Sequence, residues 1–133
     1  MIIPSDGQSD DLEAQFCWNV LRRVICYSAS LVPDVTENPQ DIDDAMKLGY
    51  NWVQGPFEML DAIGVETFVA RCRAEGHDLP AYLEDLDGPV YRVGGTGLEV
   101  RRADQIYRAV DLPAGVVRFH MKRRTLKPAV ENA

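Results

Sequence analysis

Apolar residues recur at Leu12, Phe16, Val20, Val24, Tyr27 and Leu31, in steps of three and four that line one face of a helix. The pattern predicts a first helix from a cap at Ser9 or Asp10 to about Leu31, ended by Pro33. Residues 1–8 ahead of it read as a disordered lead-in. Cys17, Leu21 and Ile25 widen the stripe, so this helix is expected to pack on two sides. Asn38-Pro39-Gln40-Asp41 starts a second helix: Asn38 caps it, Pro39 suits its first position and Asp41 meets the positive end of its dipole. That helix carries Ile42, Ala45 and Met46 inward and stops at Gly49. Gly55-Pro56 opens a short third helix that buries Phe57 and Leu60 and stops at Gly64. A fourth, from Glu66 to about Glu75, buries Phe68, Val69 and Cys72 and stops at Gly76. A last short helix, capped by Asp78, buries Tyr82, Leu83 and Leu86.

After Asp87-Gly88-Pro89 the period changes from helical to alternating. Val90–Val93 and Leu98–Arg101 alternate around Gly94-Gly95-Thr96-Gly97, which predicts a β-hairpin. Gln105–Val110 and Val116–His120 are further extended runs, separated by the turn Leu112-Pro113-Ala114-Gly115. The tail from Lys122 is basic and unpatterned.

Charge divides at the same place. Residues 1–88 hold 17 Asp and Glu against 5 Lys and Arg, a net −12, whereas residues 89–133 hold 4 against 9, a net +5. The expected organisation is therefore a mainly α domain over 9–88, followed by a β-rich basic segment over 89–133. At 133 residues, 46% hydrophobic and 26% charged, the chain has the composition of one globular domain. The overall charge of −7 argues against non-specific nucleic-acid binding. No apolar run reaches the ~18–20 residues that span a membrane, and Met-Ile-Ile-Pro is too short for a signal-peptide core. Cys17, Cys26 and Cys72 show no CxxC spacing and read as small apolar side chains in a reducing cytoplasm.

Little of the sequence points to chemistry. Gly94-Gly95-Thr96-Gly97 lacks the third glycine of a dinucleotide fingerprint and is followed by a strand, so it reads as a hairpin turn. His77 and His120 have no ligand or base–partner pattern around them. Asp41, Asp43 and Asp44 read as favourable charges at a helix N-terminus, not as a cation site, because no EF-hand glycine or distal Glu follows. Arg22, Arg23, Arg71 and Arg73 could receive phosphates, but a solvated or acid-paired role is the more ordinary one for such residues. The most unusual segment is Gly49–Phe57, a tight aromatic-rich loop between two short helices. Such a loop either plugs its own core or docks on a partner, and taken whole this one is expected to meet another domain.

At this loop the chain resembles the C-terminal helical domain of 3-hydroxyacyl-CoA dehydrogenases. The matching residues are Ile42-Asp43-Asp44-Ala45-Met46-Lys47-Leu48-Gly49 and Gly55-Pro56-Phe57-Glu58-Met59-Leu60-Asp61-Ala62-Ile63-Gly64. Within the family, the chain is most similar to long bacterial proteins that carry a dehydrogenase, two copies of this helical domain and a crotonase domain. Phe16-Cys17-Trp18-Asn19 and Val90-Tyr91-Arg92-Val93 match the start of the second copy and the linker that follows it.

The resemblance implies a helical fold like the C-terminal domains of 6-phosphogluconate and 3-hydroxyacyl-CoA dehydrogenases, with a β-hairpin extension leading toward a missing crotonase-like domain. It also implies that NAD and the catalytic His–Glu pair belong to a Rossmann domain of the parent protein, so this chain alone is not an enzyme and holds no cofactor or metal. Its partners would be the preceding dehydrogenase and helical domains, with acyl-CoA reached through the parent. Asn51-Trp52-Val53-Gln54 departs from the family's loop, where a His- or Tyr-Pro-Met is common, which puts a family-like substrate contact in doubt. Trp18, Leu21, Ile25 and Trp52 are the expected interface residues, with Gly55, Pro56 and Phe57 beside the cleft, and the isolated chain is expected to pair as a two-fold dimer. The competing reading is a stand-alone protein- or ligand-binding module that uses the Trp52 loop. A nucleic-acid module using residues 118–127 is disfavoured by the acidic remainder of the chain.

Overall fold

The computed structural model describes residues 7–95 and 97–112, with side chains from residue 11 onward. Five helices are followed by three strands: α1 Gly7–Ser30, α2 Pro39–Tyr50, α3 Pro56–Ile63, α4 Val65–Ala74, α5 Ala81–Glu84, β1 Tyr91–Gly94, β2 Gly97–Arg101 and β3 Tyr107–Ala109. The mainly helical fold class read from the sequence is what the structure shows. The expected strand at Val116–His120, the turn at 112–115 beyond Leu112, the basic tail and residues 1–6 of the lead-in lie outside the described residues. Residues 7 and 8 belong to α1.

Local chemistry accounts for most helix boundaries. The Asn38 side chain accepts the Gln40 N–H at 3.1 Å and Pro39 fills the first position of α2. Gly64 has φ +99, where a side chain would be strained, and its N–H closes α3 on the Leu60 carbonyl at 2.9 Å. α4 ends in a Schellman turn: Gly76 has φ +76, its N–H reaches the Arg73 carbonyl, and the His77 N–H reaches the Cys72 carbonyl. One stop and one start differ from expectation. α2 runs through Gly49 and ends at Asn51, which takes the left-handed conformation (φ 56) itself. α5 starts behind Pro80 rather than at an Asp78 cap.

The core gathers Trp18, Ile25, Ala29 and Val32 with Phe57, Leu60, Phe68, Cys72, Tyr82 and Leu83. This corrects the expected inward face of α1. Leu12, Phe16, Val20 and Tyr27 are exposed, while Ile25 and Ala29 are fully buried and Trp18 and Ser28 nearly so. At 100° per residue the two sets fall on opposite arcs of the helix. Ser28 and Ala29 are too small to register as a hydrophobic stripe, yet such small residues let α1 approach α3 and α5. α2 likewise turns inward through Pro39, Gln40 and Asp43, while Ala45 is exposed and Ile42 and Met46 are half-buried.

β1, β2 and β3 form an antiparallel meander, with Tyr91 opposite Val100 and Arg101 opposite Tyr107. Val90, Tyr91 and Val100 belong to the same core as the helices. The Tyr82 hydroxyl donates to the Arg101 carbonyl at 2.6 Å, and Gln40 makes a double hydrogen bond to the Asp111 backbone at 2.6 and 2.8 Å. The change at residue 88 is thus a change of secondary structure without a break in packing.

Candidate functional site

The aromatic loop between α2 and α3 is held from beneath by one carboxylate. Asp43, fully buried on α2, accepts the backbone N–H groups of Phe57 at 2.8 Å and Glu58 at 3.1 Å, the otherwise unpaired donors at the start of α3. The Tyr91 hydroxyl donates to the same carboxylate at 2.8 Å and joins β1 to the two helices. Burial pushes Asp43 up to about 7, against the donors from Phe57 and Tyr91, which favour its ionised form. A Cβ on Gly55 would lie 2.4 Å from the Asp43 carboxyl carbon and 2.5 Å from its Cα, so only glycine lets the loop return this close to α2. Lys47 and Glu58 form an ion pair between the same helices. Asp61 plays a parallel part on α3, accepting the N–H groups of Val90 at 2.7 Å and Tyr91 at 2.8 Å.

With its ends fixed in this way, the loop presents Trp52 (36% exposed) and Val53 (92% exposed) beside α1. Val20, Leu21, Val24, Trp52, Val53 and Met59 line an open groove there. Leu12, Phe16 and Tyr27 extend the apolar face along the exposed side of α1, and Leu48 and Tyr50 at the end of α2 are exposed as well. The surface offers shape and apolar area and little polar chemistry.

Of the seven residues expected at an interface or cleft, only Leu21 and Trp52 reach this surface. Trp18 and Ile25 are in the core: Trp18 packs on Phe68 with ring centroids 5.3 Å apart, donates its indole N–H to Glu75 at 2.7 Å, and lies under Arg71 at 4.1 Å. Gly55, Pro56 and Phe57 are buried, Phe57 standing edge-on to Tyr82. The outer residues of the face were missed because the sequence assigned them to the core. Asp43 was read as a charge for the N-terminus of α2, whereas it serves that of α3. Its place in the motif, fourteen residues before Phe57, was the available signal.

Several of the other candidates have structural parts, and His120 lies outside the described residues. Gly94 and Gly97 pair across the antiparallel strands β1 and β2, and β2 rather than a helix begins at Gly97, which does not fit a dinucleotide pyrophosphate loop. Arg71 is engaged with Trp18 and with Glu75 at 3.7 Å, and the His77 backbone closes α4. Among the described residues no group of three or more His, Cys, Asp or Glu could hold a metal ion, and no helix is long and apolar enough to cross a membrane.

Residues 18–86 match the family model of the 3-hydroxyacyl-CoA dehydrogenase C-terminal domain. A Bacillus subtilis protein named "Probable 3-hydroxyacyl-CoA dehydrogenase" is 36% identical over 78 residues, which are 59% of this chain and 10% of that protein. Proteins named as fatty acid oxidation complex trifunctional enzymes are 50% identical in Rickettsia felis and 46% identical in Rickettsia prowazekii, each over 52 residues, or 39% of this chain and 7% of the relative. The chain thus spans a tenth or less of the length of these curated relatives. No solved structure matches it. A match over residues 18–86, more than half of the chain, makes it a member of the 3-hydroxyacyl-CoA dehydrogenase C-terminal domain family.

Proposed function

We propose that the chain is a non-catalytic helical piece of an NAD-dependent 3-hydroxyacyl-CoA dehydrogenase of cytoplasmic fatty-acid β-oxidation, and that its work is packing between domains. NAD binding and hydride transfer belong to other parts of that parent. The observation that carries this reading is the apolar face formed by the outer side of α1 and the Trp52 loop. A face with Phe16, Val20, Tyr27 and Val53 in water is costly in a monomer, and its natural cover is the preceding helical domain of the parent.

In the isolated chain a second copy takes that place and gives a two-fold dimer burying roughly 1,200–2,000 Å² in total. Sedimentation at tens of micromolar tests this. A dimer mass is expected for the chain, and a monomer mass for Phe16→Asp combined with Val53→Asp. A monomer that stays monomeric when residues 113–133 are removed would overturn the reading. The deletion stops at 113 because β1 and β2 reach the core and β3 pairs with β2.

A further inference from the structure

The outer apolar positions of α1 are evenly spaced. Leu12, Phe16, Val20 and Val24 recur every fourth residue and so form one ridge along the helix. The row reads the same from either end about a centre at Trp18. Leu12, Phe16 and Val20 are exposed, and Val24 lines the groove beside Trp52. The opposite arc is committed to the core through Trp18, Ile25 and Ala29. Charge on the same helix is graded: Asp11 and Glu13 are exposed near its start, Arg23 is exposed in its second half, and no acid follows Glu13 before the helix ends at Ser30. Among the described residues Asp11, Glu13 and Arg23 take part in no ion pair.

We propose that this face is self-complementary and that its partner is a second copy of the chain, with the two α1 helices paired antiparallel about Trp18. Each copy's Leu12 then packs beside its partner's Val24, and each Phe16 beside its partner's Val20. Ridges of this four-residue kind lie side by side when two helices cross at about −50°. The two-fold relation makes every such contact occur twice. The charge gradient selects the direction. An antiparallel pair brings each Arg23 level with the first turns of its partner, where Asp11 and Glu13 lie. A parallel pair in register would set Arg23 against Arg23 and Asp11 against Asp11, and like charges so placed oppose association. The Trp52 loop flanks the ridge on each copy, since Trp52 and Val53 share the groove with Val20 and Val24. The inference rests on the packing role proposed above and adds to it the direction and register of the pair.

The test uses the full-length chain and reads the dimer constant by sedimentation over a concentration series. Arg23→Glu is expected to weaken the dimer about tenfold, the scale of two exposed charge pairs turned repulsive. Adding Asp11→Lys and Glu13→Lys to that variant should restore the wild-type constant. In a second arm, Leu12→Cys and Val24→Cys chains, each also carrying Cys17→Ser, are treated with a short bis-maleimide at concentrations where they sediment as dimers. A peptide joining position 12 to position 24 is expected from the mixture, and no link from either chain alone. An Arg23→Glu dimer as tight as the wild type, a triple variant no tighter than Arg23→Glu, or links within either cysteine chain alone would overturn the antiparallel pairing and leave the packing role standing. A wild-type chain that is monomeric throughout would overturn both.

Discussion

Asp43 on α2 accepts the Phe57 N–H at 2.8 Å across fourteen residues of chain, so the cap of α3 comes from a neighbouring helix and not from the residue that precedes it. Gly55, at the cap position itself, has no side chain to offer. Asp43→Ala leaves the Phe57 and Glu58 N–H groups and the Tyr91 hydroxyl without this acceptor and is expected to cost roughly 2–4 kcal/mol in denaturant unfolding. Tyr91→Phe removes only one of the three bonds and is expected to cost about 1 kcal/mol. Equal losses in the two variants would show that the carboxylate does not organise the α3 N-terminus.

The same carboxylate gives stability a pH dependence of definite sign. Burial holds Asp43 up to about 7 in the folded chain, whereas an unfolded Asp titrates near ~3.9. Between those values the folded chain keeps a proton that the unfolded chain releases, so stability is expected to fall as pH rises from about 4 to about 7. Asp87 and Asp104 are shifted the other way, by the Arg101 hydrogen bond and by the Ile106 N–H respectively, so their contribution is lost only as pH falls below the ordinary carboxylate range. Asp43→Asn should flatten the slope above pH 4 in melts run across this range. A wild-type slope of opposite sign would show that the hydrogen bonds outweigh burial.

Gly55→Ala and Gly49→Ala make a matched pair. At Gly55 the new methyl would overlap the Asp43 backbone, at 2.5 Å from its Cα, and several kcal/mol of destabilisation is expected. At Gly49 it would meet nothing within 4 Å, inside α2, and should stabilise by about 1 kcal/mol through helix propensity. Thermal melts read both, and a tolerated Gly55→Ala would show that the α2–α3 approach is looser than described.

The purified chain is expected to reduce no NAD with a 3-hydroxyacyl-CoA above a heat-killed control. Turnover abolished by a substitution in this chain would contradict the assignment of catalysis to the rest of the parent protein.

Most helix boundaries were legible in the sequence because they rest on local chemistry. Asn38-Pro39, Gly64 and Gly76 each satisfy a nearby backbone group, and the hairpin over residues 91–101 follows from alternation around glycines. What lay inside was less legible. α1 is apolar over two arcs, and periodicity finds an arc without saying which neighbour covers it. Ser28 and Ala29 marked the inward arc through size rather than hydropathy. Trp18 was read as an outward anchor, yet its indole N–H finds Glu75 from α4, a pairing 57 residues apart that no local pattern reveals. The membership of β1 and β2 in the core was hidden for the same reason, since it depends on Asp61 and Asp43 reaching Tyr91.

The most direct test of the packing role is binding in trans. A 3-hydroxyacyl-CoA dehydrogenase of the Bacillus relative's kind, made without the segment matched by this chain, would be titrated with the purified chain and followed by sedimentation. A one-to-one complex is expected with the wild type, and its loss with Phe16→Asp and Val53→Asp, whose exposed positions leave the core intact. Equal binding by wild type and double variant, or none by either while both stay folded, would contradict the role assigned to the α1 and Trp52 face.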